Sequence, residues 1–251
     1  MKSTKSPAEK NALVTGAAHR IGRAIALSLA GMGYGIVVHY NESMSEAQSL
    51  CREIEHKKVK AWPVRADLGK PGGSTDLIDK SLRQCGRLSV LVNNASIFPA
   101  DTLENMTLTD FNRNMLVNAW APLNVSRAFA KTARKGAIVN ILDARRPGQD
   151  RSHAAYSISK HALAAITHLC ASEFAPNIRV NAVAPGLILP PAGKDMSYME
   201  KLKDRVPLKT YGDPQDIADA VAFLVKSRYI TGEILHVDGG RNRLGSRNIT
   251  I

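Results

Sequence analysis

The chain has 251 residues, 44% of them hydrophobic, which suits one large α/β domain with an ordinary buried core. It carries 34 Lys and Arg against 22 Asp and Glu, and the net charge of +12 favours small anionic ligands such as phosphates. The basic residues are spread out and aromatic residues make up only 5%, which argues against nucleic-acid binding. No apolar run could span a bilayer, residues 1–10 lack a secretory signal, and three scattered cysteines fit neither a disulfide framework nor a metal site. We therefore expect a cytoplasmic protein without membrane, nucleic-acid or metal partners.

Short apolar strands alternate with helices along the whole chain. Strands are predicted at 11–15, 35–40, 59–65, 88–92, 137–142, 178–183 and 233–237. Helices are predicted at 23–32, 45–56, 74–85, 109–134 and 213–225, with a further helix that carries Tyr156 and ends near 174. This alternation predicts one domain over residues 1–251, a Rossmann-type doubly wound parallel sheet of about seven strands with helices on both faces. The irregular stretch at about 187–209 is expected to be a substrate lid.

A glycine-containing turn follows the first strand. It runs from Gly16 to Gly22 and opens the first helix, an arrangement that holds a pyrophosphate through backbone N–H groups and the helix dipole. Arg20 stands where a middle glycine would be expected, so the turn alone is also compatible with an ordinary tight connection.

The end of the second strand predicts which dinucleotide is bound. An acidic residue there would bind the ribose 2′-hydroxyl of NAD, whereas basic or neutral polar groups accommodate a 2′-phosphate. His39, Tyr40 and Asn41 occupy this region, Arg20 could approach it, and Glu42 is the one contrary residue. We expect NADP(H) rather than NAD(H).

Tyr156 and Lys160 are four residues apart and would share one face of a helix. An ammonium beside a phenol stabilises the phenolate, which would bring the pKa of the tyrosine toward the range needed for proton transfer. Such a pair also occurs by chance on surface helices, so it needs support from the rest of the chain.

That support comes from a series of motifs in family order and spacing, through which the chain resembles the short-chain dehydrogenases/reductases over nearly its full length. The matching residues are Thr15, Gly16, Gly22, Asp67, Leu68, Asn93, Asn94, Ala95, Asn118, Tyr156, Lys160, Pro185, Gly186, Thr231, Gly232 and the run Val237, Asp238, Gly239, Gly240. The resemblance implies that Tyr156 is the proton donor, that Lys160 holds the nicotinamide ribose and lowers the tyrosine pKa, and that Asn118 orders a water. It further implies a homotetramer and a set of cofactor contacts at Gly16, Ile21, Asp67, Leu68, Asn93, Ala95, Pro185 and Gly186.

Asp143 departs from the family pattern. Most members place a serine at the end of the fifth strand, where its hydroxyl polarises a substrate carbonyl. A carboxylate cannot do this unless it is protonated, and its charge would raise the pKa of Tyr156. Asp143 suits a C=N substrate whose nitrogen must be protonated, with the proton relayed by or shared with Tyr156. Alternatively, it could cap a helix or pair with Arg145 or Arg146.

The set formed by Arg20, Phe98, Asp143, Tyr156 and Lys160 is similar to the pteridine reductases. In that group a pterin lies between the nicotinamide and a phenylalanine, which implies this position for Phe98. The resemblance also implies that Arg20 contacts the cofactor phosphates and the pterin, and that Ser96 touches both ligands. Taken alone, Phe98 would equally fit a core or lid residue.

Three functions remain open. The first is NADPH-dependent reduction of a pterin ring, from dihydropterin to tetrahydropterin. The second is reduction of a carbonyl, such as a 3-oxoacyl thioester on an acidic carrier protein, with Asp143 turned away from the cleft. The third is a non-catalytic NADP(H)-binding sensor, which the presence of Tyr156, Lys160 and Asn118 disfavours.

Overall fold

The computed structural model describes residues 10–145, 150–191 and 193–244. Across this part of the chain, seven strands form one parallel sheet in the order β3-β2-β1-β4-β5-β6-β7. They are β1 Asn11–Val14, β2 Gly35–Tyr40, β3 Ala61–Arg65, β4 Val90–Asn93, β5 Gly136–Ile141, β6 Ile178–Pro185 and β7 Ile234–Val237. The predicted Rossmann-type doubly wound sheet of seven strands is confirmed.

Helices cover both faces of the sheet. They are α1 Arg20–Gly31, α2 Met44–Glu55, α3 Gly73–Cys85, α4 Leu108–Met115, α5 Ala121–Thr132, α6 Ala154–Glu173, α7 Met196–Lys203, α8 Pro214–Lys226 and α9 Arg241–Leu244. Successive residues of a strand enter opposite cores: Val14 packs with α1, α2 and α8, whereas Leu13 packs with α3, α5 and α6. None of the helices in the described ranges is long and apolar enough to cross a bilayer.

The predicted helix at 109–134 is interrupted in the structure. Between α4 and α5 the chain forms a π-helical turn, Leu116–Trp120, that contains the fully buried Asn118. Pro122 explains the change, because proline has no N–H to donate and its ring collides with the carbonyl four residues earlier, that of Asn118. The lid also differs from expectation, since the irregular stretch contains α7.

The sheet changes its winding direction at β1, which pairs with β2 on one side and with β4 on the other. Ligands of doubly wound sheets bind at this switch point, in the crevice beyond the carboxyl ends of the strands. The carboxyl ends of β1, β4, β5 and β6 therefore define where the functional residues should meet.

Candidate active site

A cavity of about 1110 Å³ opens at this edge of the sheet. Most of the predicted site residues line it: Gly16, Arg20, Ile21, His39, Asn41, Asp67, Leu68, Ala95, Ser96, Phe98, Asp143, Tyr156, Lys160, Pro185 and Gly186. The lid segment contributes Leu187–Leu189, Pro191, Tyr198 and Leu202 to the opposite wall. Residues that are far apart in the sequence thus converge on one site, as the motif spacing predicted.

The glycine turn after β1 leaves little room for a side chain at Gly16 and none at Gly22. Gly16 has a φ of 61°, and a Cβ there would lie 3.0 Å from the Cα of Ala95; a Cβ on Gly22 would lie 2.3 Å from the Gly16 carbonyl oxygen. Asn94 fixes the turn, because its Nδ2 donates to the carbonyl oxygens of Thr15 at 2.9 Å and of Gly16 at 3.0 Å. A turn with glycine at both of these positions, held by Asn94 at the start of α1, fits a dinucleotide pyrophosphate.

Arg20 bridges the glycine turn and the lid. Its Nη2 donates to the carbonyl oxygen of Pro190 at 2.7 Å, and its backbone takes the left-handed conformation, with a φ of 54°. The guanidinium therefore lies across the cavity from the sheet. Its predicted contacts with phosphates and substrate stay predictions.

The end of β2 is built differently from the prediction. His39 is buried, its Nδ1 accepts the Gly16 N–H at 3.0 Å, and its Nε2 lies 3.1 Å from the Ala66 carbonyl oxygen. Burial lowers the pKa of His39 to about 4, against an opposing effect of the Ala66 hydrogen bond, so the ring is neutral and supports the glycine turn. The side chain of Tyr40 packs in the core with α1 and α2 and does not line the cavity; its predicted cofactor contact stays a prediction.

The structure does not bring the side chain of Asn93 into the cavity either. Its amide is buried beneath the sheet, where it donates to Asn140 Oδ1 at 2.8 Å and to Ser126 Oγ at 3.0 Å, and it does not line the cavity. Its neighbour Asn94 lines the cavity instead. The alternation of a strand explains this difference between Asn93 and Asn94, because adjacent residues at a strand end point to opposite faces.

Tyr156 and Asp143 form the centre of the site. The Tyr156 hydroxyl donates to Asp143 Oδ2 at 3.0 Å. Lys160 lies one helical turn along α6, 5.7 Å from the centroid of the Tyr156 ring, and its Nζ donates to the Ile141 carbonyl oxygen at 2.9 Å. Asp143 thus faces the cavity, and the predicted alternative in which it turns away is wrong.

Asp143 is held by Arg145, as one of the sequence alternatives proposed; Arg146 lies outside the described residues. Arg145 donates to Asp143 from its backbone N–H at 2.8 Å, from Nε at 2.9 Å and from Nη2 at 2.7 Å, and it also pairs with Asp150. Burial by itself raises the pKa of Asp143, but the hydrogen bonds and charge of Arg145 outweigh it, so the pKa lies below the ordinary value of 3.8. Asp143 is therefore an ionised hydrogen-bond acceptor.

The pKa of Tyr156 is raised well above 10, first by burial and then by the charge of Asp143, with Arg145 opposing. This direction agrees with the effect expected from Asp143 and is opposite to the lowering expected from Lys160. Burial lowers the pKa of Lys160 to about 8, partly offset by Asp143. At neutral pH, Tyr156 consequently holds its proton.

Phe98 is part of an aromatic cluster at the mouth of the site. Its ring stacks on His153 with centroids 3.8 Å apart and meets the Tyr156 ring edge-on at 4.6 Å. The Arg145 guanidinium carbon lies 5.1 Å from the Phe98 centroid. Because Phe98 still exposes 36% of its surface, it is a cavity-wall residue supported from behind, and not a core residue.

Asn118 lies one layer beneath the cavity. Its Oδ1 accepts from Ser96 Oγ at 3.0 Å and from the Ile97 N–H at 2.9 Å, and its Nδ2 donates to Ile97 O at 3.1 Å and to Ser159 Oγ at 3.1 Å. Its side chain therefore positions Ser96 and the strand end before Phe98. The predicted role in ordering a water stays a prediction.

Sequence reasoning missed three residues of the site: Asn94, Arg145 and Arg241. Arg145 had been considered only as a partner that would remove Asp143 from the site. Arg241 lines the cavity from the segment after β7, about 100 residues along the chain from Tyr156 and Asp143, and no local pattern links them. The alternation of strand faces could have identified Asn94.

Comparisons with known proteins agree with this architecture. Residues 16–242 match the family model described as enoyl-(acyl carrier protein) reductase. The 3-oxoacyl-[acyl-carrier-protein] reductase FabG of Staphylococcus epidermidis is 35% identical over 239 residues, 92% of this chain and 98% of that protein.

Two solved structures give the same picture. FolM alternative dihydrofolate reductase 1 from Brucella suis, in complex with NADP, is 31% identical with a TM-score of 0.88 and covers 92% of this chain and 94% of its own. A blue fluorescent protein from a metagenomic library, in complex with NADPH, is 36% identical with a TM-score of 0.85 and covers 93% of this chain and 97% of its own. The sheet order, the glycine turn, the Tyr156 and Lys160 pair and these similarities lead to one conclusion: the chain belongs to the short-chain dehydrogenase/reductase family and is an NAD(P)-dependent reductase.

Proposed function

We propose that this protein is an NADPH-dependent pteridine reductase, which reduces a C=N bond of a dihydropterin to give the tetrahydropterin. The observation that carries the proposal is the Tyr156 hydroxyl 3.0 Å from an Asp143 carboxylate that Arg145 keeps ionised. This combination offers a substrate one proton donor and one anionic acceptor side by side.

We propose that NADP(H) binds at the glycine-turn end of the cavity. The side-chain-free Gly16 and Gly22 would receive the pyrophosphate, Asp67 and Leu68 the adenine, and Lys160 the nicotinamide ribose. With His39 neutral and engaged, Arg20 and Asn41 are the predicted groups best suited to a 2′-phosphate. When bound, NADPH supplies the hydride.

Tyr156 donates the proton that the reduced C=N nitrogen requires. Its raised pKa keeps the phenol protonated at neutral pH, and proton loss would leave a phenolate beside the Asp143 carboxylate. Arg145 and Lys160 offset that charge, with Arg145 5.5 Å and Lys160 5.7 Å from the centroid of the Tyr156 ring. The proton passes from Tyr156 Oη to the ring nitrogen, and the carbon of the same bond receives the hydride.

The ionised Asp143 favours a nitrogen heterocycle over a ketone or thioester. A carboxylate repels a carbonyl oxygen that gains negative charge, whereas it accepts hydrogen bonds from ring N–H and amino groups. A pterin presents both an acceptor nitrogen and N–H donors along one edge. A 3-oxoacyl group presents only acceptors.

Phe98 would contact the pterin with the 36% of its side chain that remains exposed. His153 stacks on the ring at 3.8 Å, and the Arg145 guanidinium carbon lies over the ring at 5.1 Å, so a pterin that stacks on Phe98 would have to displace one of them. An aromatic contact of this kind contributes about 0.5–1.5 kcal/mol beyond the buried area.

A 3-oxoacyl-thioester reductase is the second candidate, because the chain is 35% identical to FabG and has a net charge of +12 that would suit an acidic carrier protein. Initial rates of NADPH oxidation with 7,8-dihydrobiopterin and with an acetoacetyl thioester, each repeated with NADH, separate the candidates. Turnover of the pterin with NADPH supports the proposal. Turnover of the thioester alone refutes it, and cofactor binding without any turnover would favour a sensor.

Substitution of Asp143 tests the role of the carboxylate. Asp143→Ser restores the hydroxyl usual in the family, so pterin reduction should fall at least tenfold while any carbonyl reduction is kept or improved. Asp143→Asn is the matched control, since it keeps the size and one acceptor oxygen but removes the charge. Equal pterin rates for the wild type and both variants would exclude a role for Asp143.

We also propose that the protein assembles as a homotetramer. Trp120, 50% exposed, and Leu169, 69% exposed, are large apolar side chains on the outer surface of the helices around Asn118 and α6. Light scattering should give the mass of four chains, and a monomeric mass would refute the assembly.

A further inference from the structure

Arg241 brings a positive charge into the cavity from the far end of the chain. It follows β7 and lines the same cavity as Asp143, Tyr156 and the lid residue Tyr198. The ionisable groups that act electrostatically on Arg241 are Arg145, Asp143, Tyr198 and Asp150, so Arg241 lies on the substrate side of the site.

The turn that carries Arg241 is built to hold it there. Asp238 accepts the Gly240 N–H at 2.9 Å and the Asn242 N–H at 2.6 Å on its two carboxylate oxygens. The turn also packs closely against Gly186 at the cofactor end of the site, since a Cβ on Gly186 would lie 2.5 Å from the Asp238 Cα. The backbone around Arg241 is therefore fixed against the cavity wall.

Arg241 differs in its partners from three other cations that line the cavity. Arg145 pairs with two carboxylates, Lys160 donates to the Ile141 carbonyl, and Arg20 donates to the Pro190 carbonyl. Among the described residues, the Arg241 guanidinium has no hydrogen-bond or salt-bridge partner. Burial and the charge of Arg145 lower its pKa, while Asp143, Tyr198 and Asp150 raise it by a smaller amount. A partly buried cation without a directly bonded anion is costly, and the nearby carboxylates only partly offset that cost.

We infer that Arg241 is a substrate-specificity residue that binds an anionic group, a carboxylate or a phosphate, on the side chain of the substrate. The inference rests on the proposed function, since Asp143, Tyr156 and Phe98 would hold the pterin ring and leave its substituent to extend toward Arg241. The planar guanidinium suits either anion, because both can accept two parallel N–H bonds.

The position of Arg241 favours the substrate over the cofactor as the source of this anion. The cofactor phosphates belong at the glycine turn and α1, whereas the charges that act on Arg241 come from Asp143, Arg145 and the α7 residue Tyr198. An anion at Arg241 would also compensate the repulsion between the two guanidinium groups. The site would thus select substrates whose substituent carries negative charge.

The test compares three pterins by calorimetry on protein saturated with NADP⁺: neutral 7,8-dihydrobiopterin, dihydrofolate with its carboxylates, and 7,8-dihydroneopterin monophosphate. Arg241→Gln should weaken binding of at least one anionic pterin tenfold or more and leave the neutral pterin within twofold. Arg241→Lys should recover part of the loss because it keeps the charge. Arg228→Gln is the matched control, since it removes the same charge from an exposed position outside the cavity.

Loss confined to dihydrofolate assigns a carboxylate, and loss confined to the monophosphate assigns a phosphate. The inference fails if Arg241→Gln weakens all three pterins equally, weakens neither anionic pterin, or weakens NADPH binding by the same factor. Turnover is measured separately. If the wild type binds anionic pterins through Arg241 but reduces none of the three pterins, the proposed function is refuted and the Arg241 assignment stands. If it reduces a pterin but Arg241→Gln has no selective effect on anionic pterins, the proposed function stands and the Arg241 assignment is refuted.

Discussion

Replacing Arg145 with methionine would test whether the site depends on an ionised Asp143. The change removes the Nε and Nη2 hydrogen bonds to Asp143 and the ion pair with Asp150, and it leaves the backbone N–H and the Tyr156 hydroxyl as the donors to Asp143. Hydrogen bonds to charged groups contribute about 1.5–3 kcal/mol each, and the remaining donors and partial exposure reduce the loss. We expect a cost of about 3 kcal/mol, which for a chain of this size lowers Tm by about 6–12 °C.

The loss should depend on pH in a defined direction. In the wild type the pKa of Asp143 is lowered, so its contribution to stability is present above the ordinary value of 3.8 and is lost as the pH falls through the folded-state pKa. Without Arg145, burial dominates and raises the pKa of Asp143, so the variant gains stability as the pH falls through that raised value. The difference in Tm between the two proteins should therefore be largest at neutral pH and shrink toward pH 4.

Thermal unfolding followed by circular dichroism from pH 8 to pH 4 measures this difference. Arg151→Met, at an exposed position in the same segment, controls for the loss of one positive charge. A Tm difference that stays constant over this range would refute the reasoning, because it would show that Arg145 does not act through the charge of Asp143.

Three further outcomes follow from the contacts of the site. Asp101 Oδ1 accepts the Ala155 N–H at 3.1 Å and caps α6, so Asp101→Ala should cost about 1 kcal/mol in urea unfolding and Asp101→Asn should restore most of it; equal losses would exclude the cap. NADPH-dependent turnover of the wild type should decline above about pH 8, because the pKa of Lys160 is about 8. Lys160→Arg should remove this decline because arginine stays charged, and an unchanged pH profile would mean that another group titrates. Arg20→Ala breaks the bond to Pro190 and should raise the KM for the pterin about fivefold, and an unchanged KM would show that this bond does not hold the lid over the substrate.

Residues placed by backbone periodicity were predictable from the sequence. Tyr156 and Lys160 share a face of α6 because side chains four residues apart lie one above the other. Gly16 and Gly22 were identified because a turn with no space for a Cβ demands glycine. In both cases a local rule fixes the position of the side chain.

Two predicted site residues, Tyr40 and Asn93, have side chains that do not line the cavity, because a residue at a strand end can point to either face of the sheet. At the end of β2, Tyr40 packs into the core with α1 and α2. His39 points to the opposite face, where its two ring nitrogens contact the backbone of Gly16 and Ala66. The position of a residue at the carboxyl end of a strand predicts that it lies near the cavity. The face of the sheet toward which its side chain points decides whether it lines the cavity. Asn93 lies outside the cavity for the same reason.

Arg145 could not be assigned from the sequence because its role depends on a choice between two partners. A carboxylate two residues before an arginine is compatible with a simple surface ion pair, which would have removed Asp143 from the chemistry. In the structure, Asp143 accepts hydrogen bonds from Arg145 and from the Tyr156 hydroxyl at the same time. The ion pair and the candidate catalytic contact are therefore parts of one arrangement.

This arrangement has a consequence for specificity. With a serine in place of Asp143, Tyr156 would have a neutral neighbour, and a carbonyl oxygen could gain negative charge between the two hydroxyls. The carboxylate raises the pKa of Tyr156 and repels that charge, and Arg145 makes its ionised state stable instead of allowing it to take up a proton. Under the proposed function, the substrate brings N–H donors to Asp143 and a basic nitrogen to Tyr156. The pair formed by Asp143 and Arg145 is therefore the feature on which we base the proposal of a nitrogen heterocycle instead of a carbonyl.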